Sequence, residues 1–186
     1  AACGNSDNNE DNILPTRASL EVTPPATDPL VFLDANPTDT STTDDVVLVD
    51  VMLRDSAIAT FNSFTLELTF DPGVVQIGQI VQNATPLGDC SNPPGCGLIC
   101  VDNVSPSAGT SANTSGQLLL SVASPNCPTV SISIPTRLLT IAFIGASVGS
   151  STLTLVPGSN SCEILDDVNP LPITCDAGGA TINVTR

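Results

Sequence analysis

The sequence predicts an all-β protein, an antiparallel β-sandwich with a disulfide-stapled insert. Three observations predict it. First, Phe64, Leu66, Leu68 and Phe70 alternate strictly with Thr65, Glu67 and Thr69. A period of two places the four apolar groups on one face of a strand and the polar groups in water. Second, many short runs of this kind are separated by Gly, Pro, Asn and Asp, and no helical period runs through the chain. Third, the interior must be aliphatic: hydrophobic residues make up 41% of the chain while aromatics are only 3%, with no Trp or Tyr. Val, Ile and Leu suit strands.

Residues 1–28 read as an N-terminal extension and residues 29–186 as one sandwich domain, with an insert at 83–116. The polar, acidic start, AACGNSDNNEDN, would be disordered by itself. No apolar leader precedes it, so the chain is read as mature or trimmed. Ala18, Leu20 and Val22 alternate with Ser19, Glu21 and Thr23 as a short strand. Pro24-Pro25 then imposes a stiff extended break. A second strand starts at Leu30 to Leu33, and DANPTDTSTTDD, residues 34–45, is a loop of turn formers.

Val46 to Leu53 forms the next strand, with Val47, Val49, Val51 and Leu53 on one face. Asp50 and Arg54 lie on the other, with Val46, Leu48 and Met52. After Phe64 to Phe70, Asp71-Pro72-Gly73 ends the ladder, because proline has no N–H to give and glycine permits the turn. Val74 to Val81 is a further strand. The long polar insert would be unusual without staples, and Cys90, Cys96 and Cys100 supply them. Strands follow at Gln117 to Ser124, Thr129 to Ile134, and Arg137 to Ile144, where Leu139, Ile141 and Phe143 form the apolar face. Ser151 to Val156 alternates through Leu153 and Leu155. A loop spans Cys162 to Cys175, and the last strand turns Ile182 and Val184 inward.

The formal net charge is −15. It repels nucleic acid and anionic membrane surfaces and excludes a phosphate-backbone partner. No apolar run approaches the roughly 18 residues of a membrane helix. Without His or Lys, a catalytic base near neutrality would have to be Asp or Glu. Paired carboxylates that cleave sugars work beside aromatic platforms, which this chain lacks. The expectation is therefore no enzyme and no resident cofactor. One metal alternative is calcium on the oxygen donors Asp34, Asn36 and Asp39. Glu163 to Asn169 is a less specific candidate, and no calcium-loop consensus is present. Asp and Asn are also ordinary turn residues.

Seven cysteines without a histidine argue for disulfides rather than zinc, and for an oxidising compartment. Six allow many pairings. Cys162–Cys175, closing its own loop, is the best candidate, with Cys90–Cys96 and Cys100–Cys127 beside it. Cys3 is left over. Ala1-Ala2-Cys3-Gly4 resembles the end of a bacterial lipobox, although two residues precede the cysteine. A lipid anchor, a disulfide to another chain and a free thiol are its three readings. Asn83, Asn103, Asn113 and Asn183 each begin an N-x-Ser/Thr sequon, a short motif that is often coincidental.

From about Leu30 to Val184 the order of elements resembles cohesin domains, the receptor half of the cohesin–dockerin pair. The resemblance rests on Asp34-Ala35-Asn36-Pro37 after an opening strand and on Val47-x-Val49-x-Val51. It continues through the F-x-L-x-L-x-F-D-P-x-V-V run of Phe64 to Val75, then Leu139-x-Ile141-x-Phe143, Leu153 with Leu155, and the closing GGATINV. It implies a nine-stranded, Ig-like jelly-roll sandwich that binds protein and catalyses nothing. The cysteine-rich insert and residues 1–28 depart from that pattern.

The leading expectation is a secreted, cell-surface structural protein that self-assembles into a filament. Ala18, Leu20 and Val22 would serve as a donor strand to another copy. Without lysine, Lys–Asn isopeptide cross-links are impossible, so donor strands and disulfides would have to supply its strength. The alternative is a cohesin-like receptor for a dockerin-like partner, with a lipid anchor at Cys3 as an option. A calcium-dependent or carbohydrate-binding adhesin is the third reading.

Overall fold

In a computed structural model of the chain, residues 17–23, 31–37, 45–54, 60–61, 63–81, 99–102, 111–123, 130–131, 135–157, 162–166, 169–172, 175 and 179–186 are described. Two antiparallel sheets face each other across an aliphatic core. The smaller sheet holds β2 (Val31–Ala35), β3 (Val46–Leu53), β6 (Val75–Val81) and β10 (Thr136–Gly145), in the order β2-β3-β10-β6. The larger is centred on β5 (Ser63–Thr69). One edge of β5 pairs with β8 (Gln117–Ala123), which in turn pairs with β7 (Ile99–Asp102). The other edge pairs with the end of β11 (Gly149–Leu155) and with β12 (Cys162–Asp166). From there β11 leads to β14 (Ala180–Thr185) and β1 (Arg17–Val22), and β12 to β13 (Asn169–Pro172). A two-residue pair, β4 (Thr60–Phe61) with β9 (Val130–Ser131), stands apart from both sheets.

The alternation read from the sequence is the packing. Val47, Val49, Val51 and Leu53 from β3 meet Phe64, Leu66 and Leu68 from β5, all buried. Leu139, Ile141 and Phe143, Leu153 and Leu155, and Ile182 and Val184 complete the core. Phe70 and Phe143 close it with an edge-to-face contact, centroids 5.6 Å apart at 72°, a geometry the ring quadrupoles favour.

One strand breaks its own alternation. In β10, Arg137 pairs with Met52 while Leu139 pairs with Val51, so Leu138 is an extra, bulged residue. Leu138 and Leu139 are both buried. Without the bulge, Arg137 would share a face with Leu139, Ile141 and Phe143. With it, the guanidinium reaches the outer face, 3.8 Å from an Asp50 carboxylate oxygen.

The structure adds detail to the sequence expectation and departs from it in places. The stretch between Cys162 and Cys175 contains a β-hairpin, β12–β13, because Glu163 to Leu165 pair with the edge of β5. The 83–116 insert contributes β7 and a five-residue helix, α1 (Ser111–Ser115). Of the expected Thr129 to Ile134 strand, Val130–Ser131 forms β9 and the remainder lies outside the described residues. The strand count also exceeds the nine implied by the resemblance.

A further difference concerns the leader. Ala18, Leu20 and Val22, expected in another copy, pair instead with Val184, Ile182 and Ala180 of the same chain. Ala18 is buried in the common core. The physical reason is that β14 offers an unpaired edge within reach, and an intramolecular strand fills it without the entropic cost of association. The donor-strand role therefore has no free strand behind it.

Candidate protein-docking face

The outer face of the larger sheet is built from the polar half of the alternation. On β5 it carries Thr65, Glu67 and Thr69. Directly opposite on β8 stand Ser121, Leu119 and Gln117. Cross-strand neighbours on one face lie close enough to bond, and these do. Thr65 Oγ1 donates to Ser121 Oγ at 3.2 Å, and Gln117 Nε2 donates to Glu67 Oε1. Thr69 Oγ1 donates to the Thr154 carbonyl at 3.4 Å. Glu67 is the only charged group among these six side chains, and the Gln117 amide holds it. Leu119 stands 43% exposed in the middle of them. The result is a short-side-chain ladder whose hydroxyls and amides are already oriented, with one large apolar group at its centre.

The outer face of the smaller sheet is different. Phe32 is buried under the Arg54 guanidinium, whose carbon lies 5.2 Å from the ring centroid, a cation–π arrangement. Beside it is a closed polar cluster. Asp50, Asn36 and Thr140 are 3%, 5% and 3% exposed. Asp50 Oδ1 accepts from Asn36 Nδ2 at 2.8 Å and from Thr140 Oγ1 at 2.6 Å. Asn36 Nδ2 also lies 3.5 Å from Thr140 Oγ1. Burying a carboxylate is costly unless it is paired and bonded, and this one has two hydrogen bonds and an arginine.

This geometry bears on the calcium candidates. Asp34 is exposed and accepts the Ala35 N–H at 2.8 Å. Asn36 turns its amide into the Asp50 cluster and away from a ligand set with Asp34. Asp39 lies outside the described residues, as do the side chains of Glu163, Asp166 and Asn169. Among the described residues, no three Asp, Glu or Cys side chains gather as a metal site. Cys175 is buried and disulfide-bonded, and its backbone makes a parallel bridge to Val31. The side chains of Cys3, Cys90, Cys96, Cys100, Cys127 and Cys162 lie outside the described residues, so the pairing is open. No described helix is long and apolar enough to cross a membrane.

Sequence reasoning missed both faces. Leu118-Leu119-Leu120 is an unbroken apolar run with no outward residue marked in it; only the register with β5 selects Leu119. The period of two puts Asp50 on the outer face, but its burial depends on Asn36 and Thr140, distant in sequence.

No protein-family model and no curated protein matches the chain. Solved structures do. A type II cohesin domain from the cellulosome of Acetivibrio cellulolyticus superposes with a TM-score of 0.56 at 11% identity, covering 84% of this chain and 95% of that one. The sixth cohesin of scaffoldin B from the same organism, solved in complex with a Cel5 dockerin mutant, gives 0.53 at 14% identity, covering 82% and 97%. The solution structure of CaCohA2 from Clostridium acetobutylicum gives 0.53 at 20% identity, covering 83% and 90%. Two facing antiparallel sheets, the order of their strands and these superpositions make this chain, in its fold, a cohesin-like domain.

Proposed function

We propose that the chain is a non-enzymatic, extracellular receptor module that holds a dockerin-like partner on the β5–β8 face. The observation that carries this reading is Leu119, a large apolar side chain exposed at the centre of a flat, nearly uncharged ladder. Interface cores are depleted of charge and centred on a few apolar anchors. This face offers that composition on a chain whose net charge is −15. The opposite outer face spends Phe32, Arg54 and Asp50 on contacts within the chain.

Two further observations support the reading. Solved cohesins of the same fold are complexed with dockerins. The disulfide at Cys175 fits an oxidising compartment outside the cytoplasm. Self-association is not favoured, because β1 is used within its own chain. The test is calorimetric titration with a panel of dockerin modules of the kinds found in those complexes. Saturable one-to-one binding is expected. Absence of binding across the panel, with the protein folded, overturns the reading.

A further inference from the structure

We propose that Asn36 and Thr140 become joined by a self-catalysed ester bond, with Asp50 moving the proton. The reaction occurs once per chain and needs no co-reactant.

The argument starts from one oxygen atom. Asp50 Oδ1 lies 2.6 Å from Thr140 Oγ1, the nucleophile, and 2.8 Å from Asn36 Nδ2, the leaving nitrogen. A base must reach the proton it abstracts within hydrogen-bond distance, and a hydroxyl becomes a nucleophile when such a base adjoins it. Here the same atom touches both ends of the transfer. Thr140 Oγ1 gives its proton to Asp50 Oδ1 and attacks Asn36 Cγ. The tetrahedral intermediate collapses, the Cγ–Nδ2 bond breaks, and Oδ1 returns the proton to the departing nitrogen, which leaves as ammonia. One C–O bond forms, one C–N bond is lost, nothing is oxidised or reduced, and Asp50 ends as it began.

The surroundings favour this outcome. All three side chains are almost fully buried, so water, the competing nucleophile, is kept away and the ester is shielded from hydrolysis. Holding nucleophile and amide in a packed sheet supplies the effective concentration that an alcohol attacking an amide requires. Arg137 is a positioning residue: its guanidinium, 3.8 Å from Asp50 Oδ2, holds the carboxylate between its partners. Asn36 is followed by Pro37, which has no N–H. The usual side reaction of asparagine, attack by the next backbone nitrogen to form a succinimide, is thus closed at this position. The chain has no lysine, so a hydroxyl takes the place of an amine as nucleophile. The bond would tie edge strand β2 to β10 across β3.

The four arginines make the test direct. Trypsin places Asn36 in peptide 18–54 and Thr140 in peptide 138–186. Peptide 18–54 contains no cysteine, so no disulfide can hold the two together. The full-length protein is folded, reduced, alkylated and digested, and the peptides are weighed. The expected result is a joined 18–54/138–186 species lighter than the sum of its parts by one ammonia, split by hydroxylamine. Thr140→Ser is expected to retain the link, while Thr140→Val and Asp50→Asn abolish it. Recovery of the two wild-type peptides separately at full mass overturns the proposal, and so does a link that survives in Thr140→Val. The wild-type digest decides even if a variant fails to fold.

Discussion

Asn113 pairs with Ile77 as another strand would. Its Oδ1 accepts the Ile77 N–H at 2.7 Å and its Nδ2 donates to the Ile77 carbonyl at 3.0 Å. Ile77 lies on β6, an edge strand of the smaller sheet, and unpaired edge groups invite pairing with foreign strands. Helix α1 brings the amide there. Asn113→Ala is expected to cost about 1–3 kcal/mol, because it leaves both backbone groups of a buried residue without this partner. Asn113→Asp keeps the acceptor but sets a carboxylate against the carbonyl, and is expected to cost at least as much. Urea unfolding followed by circular dichroism measures both. The same bonds oppose a glycan on the Asn113 sequon, since Nδ2 is the atom that would carry it.

Gly116 ends α1 at a φ of +72°, in the region that favours glycine. A Cβ there would clash with the Phe70 carbonyl oxygen and meet Pro72 Cδ at 2.8 Å. The Gly116 carbonyl also accepts the Phe70 N–H at 2.9 Å. Gly116→Ala therefore combines backbone strain with a backbone clash. A loss of about 3 kcal/mol is expected, read as a lower unfolding midpoint in the same denaturant.

Phe143 is fully buried and meets Phe70 edge to face. Phe143→Ala removes the ring and opens a cavity that β-sheets on both sides cannot collapse into. The expected cost is about 3–5 kcal/mol, measured by chemical denaturation with the denaturant slope checked for constancy.

For Leu119 the useful substitution is threonine. Aspartate would face Glu67 directly across the strands and confound binding with repulsion. Leu119→Thr keeps a strand-forming residue and removes the apolar anchor. Partner affinity is expected to fall about tenfold, or 1.4 kcal/mol. Unfolding stability should change by less than about 0.5 kcal/mol. Titration and denaturation of the same preparation separate the two effects.

The Cys162–Cys175 pairing is expected from mass spectrometry of an unreduced digest, where both cysteines fall in peptide 138–186 and close a loop within it. Cys175 sits beside Val31 of β2. Cys175→Ser is expected to cost about 2–4 kcal/mol, mostly by freeing the unfolded chain.

Much of the sandwich was legible because one face of each strand is buried and the period of two shows it. Phe64, Leu66 and Leu68, or Ile182 and Val184, needed no partner to be read. What could not be read was pairing between distant segments. Nothing local in Ala18-Leu20-Val22 says that its partner is β14. Nothing in Leu118-Leu119-Leu120 says that the middle residue faces out. Thr140, between Leu139 and Ile141, carries no mark of the carboxylate that it meets from β3. Helix α1 is too short to show a period, and its polar residues read as loop.

The bulged leucine on β10 has a consequence for how this chain can vary. It lets two successive side chains, Leu138 and Leu139, enter the same interior. Loss of Leu138 alone would return the strand to simple pleating with Arg137 still opposite Met52 and Leu139 still opposite Val51, so the surface cation keeps its place. A deletion in this run of two leucines would thus remove one interior side chain and leave the ladder on either side in step. Relatives with a one-residue gap here should have kept the arginine.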